Sequence, residues 1–256
     1  MEYLSSTNNE RTAEYLSKFN RENVLKHLIK EAAPIIFDIG ANDGLSLEEF
    51  KTWWKNSIVH CFEPQEECYD ALINKSKVYK KSSVFINKNA VGKKEDNNVD
   101  FYSHDIHSGL SGFNKVNTDS IDSVYLNELK TTSSAELNQY INKLNHKNLV
   151  DVIRLDNYMV SCEIDRINLL KIDTQGFEPE VLSGLGKRLE DVDVVLTELM
   201  FYDYYNRSLS FSDIEKYLIP AGFRLYDISH IAKNPMNGRT DWVDVIYVNN
   251  RIIGKD

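Results

Sequence analysis

Ten residues constrain the fold more than any others: Ile35-Ile36-Phe37-Asp38-Ile39 is an apolar run of strand length that ends in the turn Gly40-Ala41-Asn42-Asp43-Gly44. About one βαβ half-unit later, Val59-His60-Cys61-Phe62 ends in Glu63-Pro64. A buried strand entering a glycine turn, with a carboxylate at the tip of the next strand, is the layout of a nucleotide-binding α/β sheet. Such a sheet binds its ligand beyond the carboxyl ends of its strands.

The remaining pattern extends this beginning. Apolar spacing predicts an amphipathic helix over 10–31, stopped by Pro34, and further helices over 45–56, 64–77, 178–189 and 211–221. Pro64 suits the first turn of its helix, and Gly222 stands where a helix C-terminus favours glycine. Apolar runs over 84–91, 99–102, 150–155, 167–172, 192–199, 223–228 and 243–248 read as strands. The βαβα alternation predicts a doubly wound, Rossmann-like and mainly parallel sheet with helices on both faces. Residues 113–148, rich in Asn, Ser and Lys, read as a polar insertion with a helix over 134–144. With 256 residues and no Pro/Gly/Ser-rich linker, one domain over 1–256 is expected, with an N-terminal helical extension over 1–33 and the insertion as an acceptor lid.

Charge narrows the partners. A net charge of −9 would repel phosphate backbones and anionic lipid, so nucleic acid is not an expected partner. No apolar run approaches the roughly 20 residues that span a bilayer, and residues 1–11 lack the apolar stretch of a signal peptide, so a cytoplasmic protein is expected. Cys61, Cys68 and Cys162 are odd in number and lack zinc-site spacing, which favours reduced thiols.

The predicted strand ends place Asp38, Glu63, Asn89, Asp173 and Glu198 at one edge of the sheet. Polar groups ending apolar runs are costly without a partner or a ligand. A dinucleotide would need G-x-G-x-x-G after the first strand, but here Asn42 replaces the middle glycine and Asp43 would repel a pyrophosphate. S-adenosylmethionine carries no phosphate, and its sulfonium and ammonium suit Asp38 and the amide of Asn42. Gly40 and Gly44 then shape a methyl-donor turn, and Glu63 followed by Pro64 would accept from both ribose hydroxyls. Taken alone, Glu63 does not separate the two cofactors. Asn89 and Ala90, in Asn89-Ala90-Val91-Gly92, are expected at the adenine edge. Three classes share this layout: a methyltransferase, a nicotinamide-dependent oxidoreductase, and a non-catalytic Rossmann-like binding module.

The chain resembles the FkbM-type S-adenosylmethionine-dependent methyltransferases. The resemblance is carried by Phe37-Asp38-Ile39-Gly40-Ala41-Asn42, Phe62-Glu63-Pro64, Asn89-Ala90-Val91-Gly92, Thr197-Glu198 and, most specifically, Leu170-Lys171-Ile172-Asp173-Thr174-Gln175-Gly176-Phe177-Glu178 with Val181-Leu182-Ser183-Gly184. It implies a class I methyltransferase sheet of seven strands, the last antiparallel. It also implies O-methylation of a hydroxyl on a sugar, glycolipid or polyketide, and a bacterial surface glycan is the expected acceptor by analogy. Ser108 and Leu110 resemble the family's Ser-Leu cofactor edge.

Methyl transfer to a hydroxyl needs positioning, and a base where the proton must leave. Asp173, in the most specific motif, is the first candidate base and equally a candidate cofactor contact. Glu198 lies at the next strand end, beside the aromatic residues of 200–205, which would form either a sugar-stacking rim or core packing. His107, in a loop with His104, is a further candidate, since imidazole accepts a proton near neutral pH. His104, Asp105 and His107 form the densest ligand group, and without more carboxylates near them no obligatory metal is expected.

Overall fold

The structure is a computed structural model that describes residues 7–105, 107–120, 133–235 and 237–253. The N-terminal segment expected as one helix is two, α1 (Asn8–Lys18) and α2 (Arg21–Leu28). The break has a local cause: the Asn20 side chain accepts from the Asn23 amide at 2.8 Å, a cap that starts a new helix. Helix α1 buries nothing, and its Tyr15 hydroxyl donates to the Asp227 carboxylate at 2.9 Å, whereas α2 buries Val24 and Leu25.

After Pro34 the chain alternates through β1 (Ile35–Ile39), α3 (Leu45–Trp53), β2 (Ile58–Phe62), α4 (Glu66–Ser76) and β3 (Val84–Asn87). Two shorter excursions follow, β4 (Ala90–Val91) and β5 (Asp96–Ser103), then α5 (Ser134–Ile141), β6 (His146–Ile153) and α6 (Leu155–Ser161). The chain ends with β7 (Ile167–Ile172), α7 (Glu178–Leu185), β8 (Val192–Met200), α8 (Phe211–Leu218), β9 (Phe223–Lys233) and β10 (Thr240–Asn249).

Seven strands form the main sheet in the order β3-β2-β1-β7-β8-β10-β9. All run parallel except β10, which is antiparallel to both neighbours. Strand order reverses between β1 and β7, so their carboxyl ends open the crevice in which such sheets bind ligands. Alternate residues feed two cores: Phe37, Ile39, Leu170 and Ile172 face one side, Ile36, Leu169 and Val194 the other. Each such fully buried side chain contributes about 1.5–3 kcal/mol of burial free energy.

Two expectations change here. The run over 84–91 is two strands, because Val84–Asn87 pairs with β2 while Ala90–Val91 leaves the main sheet for β6. Asn87 ends the first, its amide donating to the Cys61 carbonyl at 3.1 Å and the Tyr158 hydroxyl at 3.2 Å. Asn89 therefore lies in the connection between β3 and β4 and ends neither. The helix expected from Pro64 begins at Glu66, with Gln65 as its cap residue. Strands β4, β6 and β5 form a second small sheet over Ala90, Phe101, Val150 and Val152. Part of the expected insertion, 121–132, lies outside the described residues. Its final residues belong to β6, and Val116 bridges to Tyr205.

Candidate functional site

The turn after β1 is fixed by backbone. The amides of Gly40 and Ala41 donate to the Phe62 carbonyl at 3.0 and 3.1 Å, and the Asp173 amide donates to Ile39 at 3.0 Å, locking the ends of β1, β2 and β7 together. Gly40 has φ +78°, and a Cβ there would lie 2.0 Å from the Asp173 carbonyl oxygen, so conformation and space both demand glycine. Asn42, at φ +46°, donates its amide to Glu63 Oε2 at 2.9 Å, and its Oδ1 accepts from Ser108 Oγ at 2.9 Å. Asparagine is among the few side chains that tolerate this backbone region.

Around this turn lies an open-mouthed cavity. Glu63 stands on one flank and Asp173 on the other, at the ends of strands on opposite sides of β1. Phe62, Pro64, Val91, Phe101 and Phe113 supply apolar walls, and Asn89, Ala90 and Ser108 also line it. Among the described residues, its lining holds two carboxylates and no Lys or Arg. That donor set fits a ligand with a sulfonium, an ammonium and a ribose diol, and offers a pyrophosphate no cation.

Glu63 is almost wholly buried, which pushes its carboxyl above the ordinary range, against the pull of the Gln65 and Asn42 amides that donate to it at 2.8 and 2.9 Å. Lys171 sits beneath the Gly40 turn. Its Nζ lies 3.1 Å from Asp38, 3.1 Å from the Gly40 carbonyl and 3.6 Å from Asp173. Against its own burial, these two carboxylates raise the ammonium's pKa and keep it charged. Asp38 is fully buried, and desolvation raises its pKa against the opposing pull of Lys171.

The loop after β7 is held by Glu178 Oε1, which accepts from Thr174 N and Oγ1 at 2.9 and 3.0 Å and from Gly176 N at 3.3 Å. Burial raises Glu178 to about 7. A carboxyl raised on folding binds its proton more tightly in the native state, so its contribution to stability is full below the unfolded value of 4.5 and is lost as pH rises through about 7. Thermal unfolding should therefore fall more steeply between pH 5 and 8 in the wild type than in Glu178→Gln. Parallel curves would remove Glu178 as the source.

Gln175, buried at φ +55°, joins three side chains. Its Nε2 donates to Asp173 Oδ1 at 2.7 Å and lies 3.5 Å from Glu198 Oε1, while its Oε1 accepts from the Tyr205 hydroxyl at 2.8 Å. Burial, then the charges of Asp173, Asp244 and Glu178, push the Glu198 carboxyl well up.

Gly40, Asn42, Glu63, Pro64, Asn89, Ala90, Ser108 and Asp173 thus come together on one cavity. Other expected site residues sit elsewhere. Asp38 is under the turn with Lys171. Gly44 starts α3 at φ +88°, where a Cβ would press Leu72 at 2.6 Å. Leu110 packs with the tyrosine cluster and presents its carbonyl to Tyr205. Glu198 stands behind Gln175, and exposed His107 is off the cavity wall, its amide donating to His104 Nδ1 at 3.0 Å. Of the two readings of residues 200–205, Tyr202, Tyr204 and Tyr205 follow core packing: they are buried with Val116 and Leu144. Sequence reasoning gave no site role to Lys171, Gln175, Phe101 and Phe113, and had Tyr205 only within the aromatic segment 200–205. The first two lie inside the most specific motif, which was the available signal. Among the described residues, no three His, Cys, Asp or Glu gather as a metal-ligand group, and no helix is long and apolar enough to cross a membrane.

Sheet order, the antiparallel β10 and the cavity at the β1–β7 crevice define a class I methyltransferase. Residues 38–225 match the methyltransferase FkbM domain, and the chain belongs to this family, whose methyl donor is S-adenosylmethionine. No curated protein matches the chain. Similar solved structures include magnesium protoporphyrin IX methyltransferase from Synechocystis PCC 6803 with bound SAM, at 8% identity and TM-score 0.45, covering 96% of this chain and 86% of that one. Burkholderia thailandensis 1,6-didemethyltoxoflavin-N1-methyltransferase, with its substrate and S-adenosylhomocysteine bound, matches at 9% identity and TM-score 0.46, covering 97% and 93%. An rRNA methylase from Streptococcus thermophilus matches at 9% and 0.44, covering 89% and 93%.

Proposed function

We propose that this methyltransferase transfers the methyl group to a hydroxyl, that of a sugar in a bacterial surface glycan or glycolipid. The observation that supports oxygen as the acceptor is Asp173, a carboxylate on the cavity wall whose side chain is 37% exposed. A carboxylate open to the acceptor side can take a hydroxyl proton as the new bond forms.

Bound in the cavity, S-adenosylmethionine supplies an electrophilic methyl group on a sulfonium. The chain does the rest. Glu63, oriented by two backbone amides, accepts from the ribose hydroxyls with its remaining lone pairs. Asn89 and Ala90 would hold the adenine edge, with Phe101 and Phe113 as apolar walls. Lys171 neutralises Asp38 and fixes the Gly40 carbonyl, and Gln175 orients Asp173. Asp173 takes the acceptor's proton, whereas Glu198 stands behind Gln175 and His107 outside the cavity wall.

Two measurements test this. Mass spectrometry of surface glycans from cells with and without the protein should show the loss of one methylene mass per transferred methyl. Glycans identical in both strains would refute the acceptor class. Glu63→Ala should weaken S-adenosylhomocysteine binding about 10- to 150-fold by calorimetry, the scale of a charge-assisted hydrogen bond. Unchanged affinity would remove Glu63 from the ribose.

A further inference from the structure

Helix α1 and strand β9 meet at one edge of the main sheet, and both leave apolar side chains in water. Among the described residues, seven of the thirteen large apolar side chains left exposed stand on α1, on its cap residue Phe19 and on β9. Leu16 is 70% exposed, and the rings of Tyr15 and Phe19 stack on the same helix. A helix of 11 residues that buries nothing is shorter than the roughly 12–15 residues that hold together alone in water. The bond from Tyr15 to Asp227 ties it to the sheet on the side of Ile246, the β10 neighbour of Asp227. The other face of β9 is bare. Leu225, Ile228 and Ile231 register with Tyr247, Val245 and Val243 of β10, so they continue the face that α8 closes. Their β10 neighbours are buried, whereas these three are 40%, 40% and 48% exposed. Among the described residues no strand pairs with the outer edge of β9. Extra residues at Tyr226 and Ser229 bulge the strand, which hinders open-ended strand addition and leaves side chains as the means of contact.

We propose that this edge is a two-fold contact between copies of the chain, in which α1 of each copy packs on the bare β9 face of the other. Charge selects the partner. The net charge of −9 sets copies repelling one another over most of their surface. On α1 the charges cancel, Glu10 and Glu14 against Arg11 and Lys18, and β9 carries Arg224 and Lys233 against Asp227. Two copies therefore meet here without that repulsion. The same balance disfavours an anionic lipid surface, which takes helices whose polar face is rich in Lys and Arg. A two-fold contact uses one patch on both copies, and the geometry fixes how. Helix α1 stands on one side of the sheet edge, and the uncovered trio lies on the opposite side. An axis running along the edge turns the second copy over, so each helix meets the bare strand face of the other. The contact closes on itself. Strands β8 and β10 lie between this edge and β7, so the donor cavity stays open in the dimer.

Sedimentation velocity of the full chain should give a dimer. Leu16→Glu and Ile231→Lys change exposed side chains outside the donor cavity, so both should keep S-adenosylhomocysteine affinity in calorimetry. Each should weaken the dimer about 10- to 30-fold, the scale of an interface hot spot. Mixing the two variants should restore it. One of the two contacts is then wild type on both sides, and the other sets the introduced carboxylate against the introduced ammonium. A wild type that stays monomeric at high protein concentration would overturn the proposal. So would a dimer untouched by either substitution, which would place the contact on another surface. Variants that fail to re-associate on mixing would overturn the packing of α1 on β9 of the other copy. A monomeric wild type that sediments with phosphatidylglycerol vesicles would assign the patch to a lipid surface instead.

Discussion

Replacing Lys171 with Met should destabilise the protein by about 3–5 kcal/mol, the cost of leaving a buried charge without its partner. The reason lies in Asp38, which has no exposed surface and an ion pair to Lys171 at 3.1 Å. With the ammonium gone, Asp38 avoids an uncompensated charge only by binding a proton, so the loss should be larger at pH 8 than at pH 5. Urea unfolding of Lys171→Met and of the double variant Asp38→Asn/Lys171→Met separates this from simple loss of packing. The double variant should recover most of the stability, because no charge then remains to be paired. Equal losses in both would show that the aliphatic stem of Lys171, not its charge, holds the turn. A consequence for binding follows from the Gly40 carbonyl, which Lys171 also fixes at 3.1 Å. The single variant should bind S-adenosylhomocysteine more weakly even under conditions where it is fully folded.

What the sequence could and could not reveal follows from the range of each interaction. Strands β1, β2, β7, β8 and β10 announce themselves because each is buried on both faces or nearly so, and their apolar runs need no partner to be read. Glu63 and Asp173 were legible for the same reason, as polar residues ending such runs. The assignment of strands to sheets was not. Val150 and Val152 are buried while Leu149 and Asp151 are exposed, so β6 is a one-faced strand of the small sheet, yet its sequence resembles any short apolar run. The split at Asn87 depends on its contacts with Cys61 and Tyr158, 26 and 71 residues away, which no local pattern encodes. The helix break at Asn20 was local and readable: an asparagine three residues before its bonding amide is a cap signal, outweighed by apolar spacing that continued through it. Gln175 and Tyr205 form the hardest case, since their roles arise only where β7 and the segment after β8 meet, 30 residues apart.

The chemistry itself turns on Asp173→Asn. Asparagine keeps the shape of the side chain and an oxygen for Gln175 Nε2 to donate to, but it takes up no proton near neutral pH. If Asp173 is the base, turnover should fall by about 10²–10⁴-fold, measured on the glycan acceptor or as the methylated fraction in cells that carry only the variant. S-adenosylhomocysteine affinity should change by no more than about threefold, a fraction of the effect of losing one charge-assisted bond. The alternative role gives the opposite division. A carboxylate that contacts the donor's ammonium would weaken binding by about 10- to 150-fold when neutralised, with turnover at saturating donor largely preserved. Both roles remain compatible with Asp173 beside the Gly40 turn, and geometry alone favours the base because its side chain is part exposed while Glu63 and Asp38 are buried. Glu198→Gln supplies the control. Since the hydrogen-bond link from Glu198 to Asp173 runs through Gln175, neutralising Glu198 should leave the proton-accepting oxygen in place and cost far less than Asp173→Asn. A loss in Glu198→Gln as large as that in Asp173→Asn would move the base from β7 to β8.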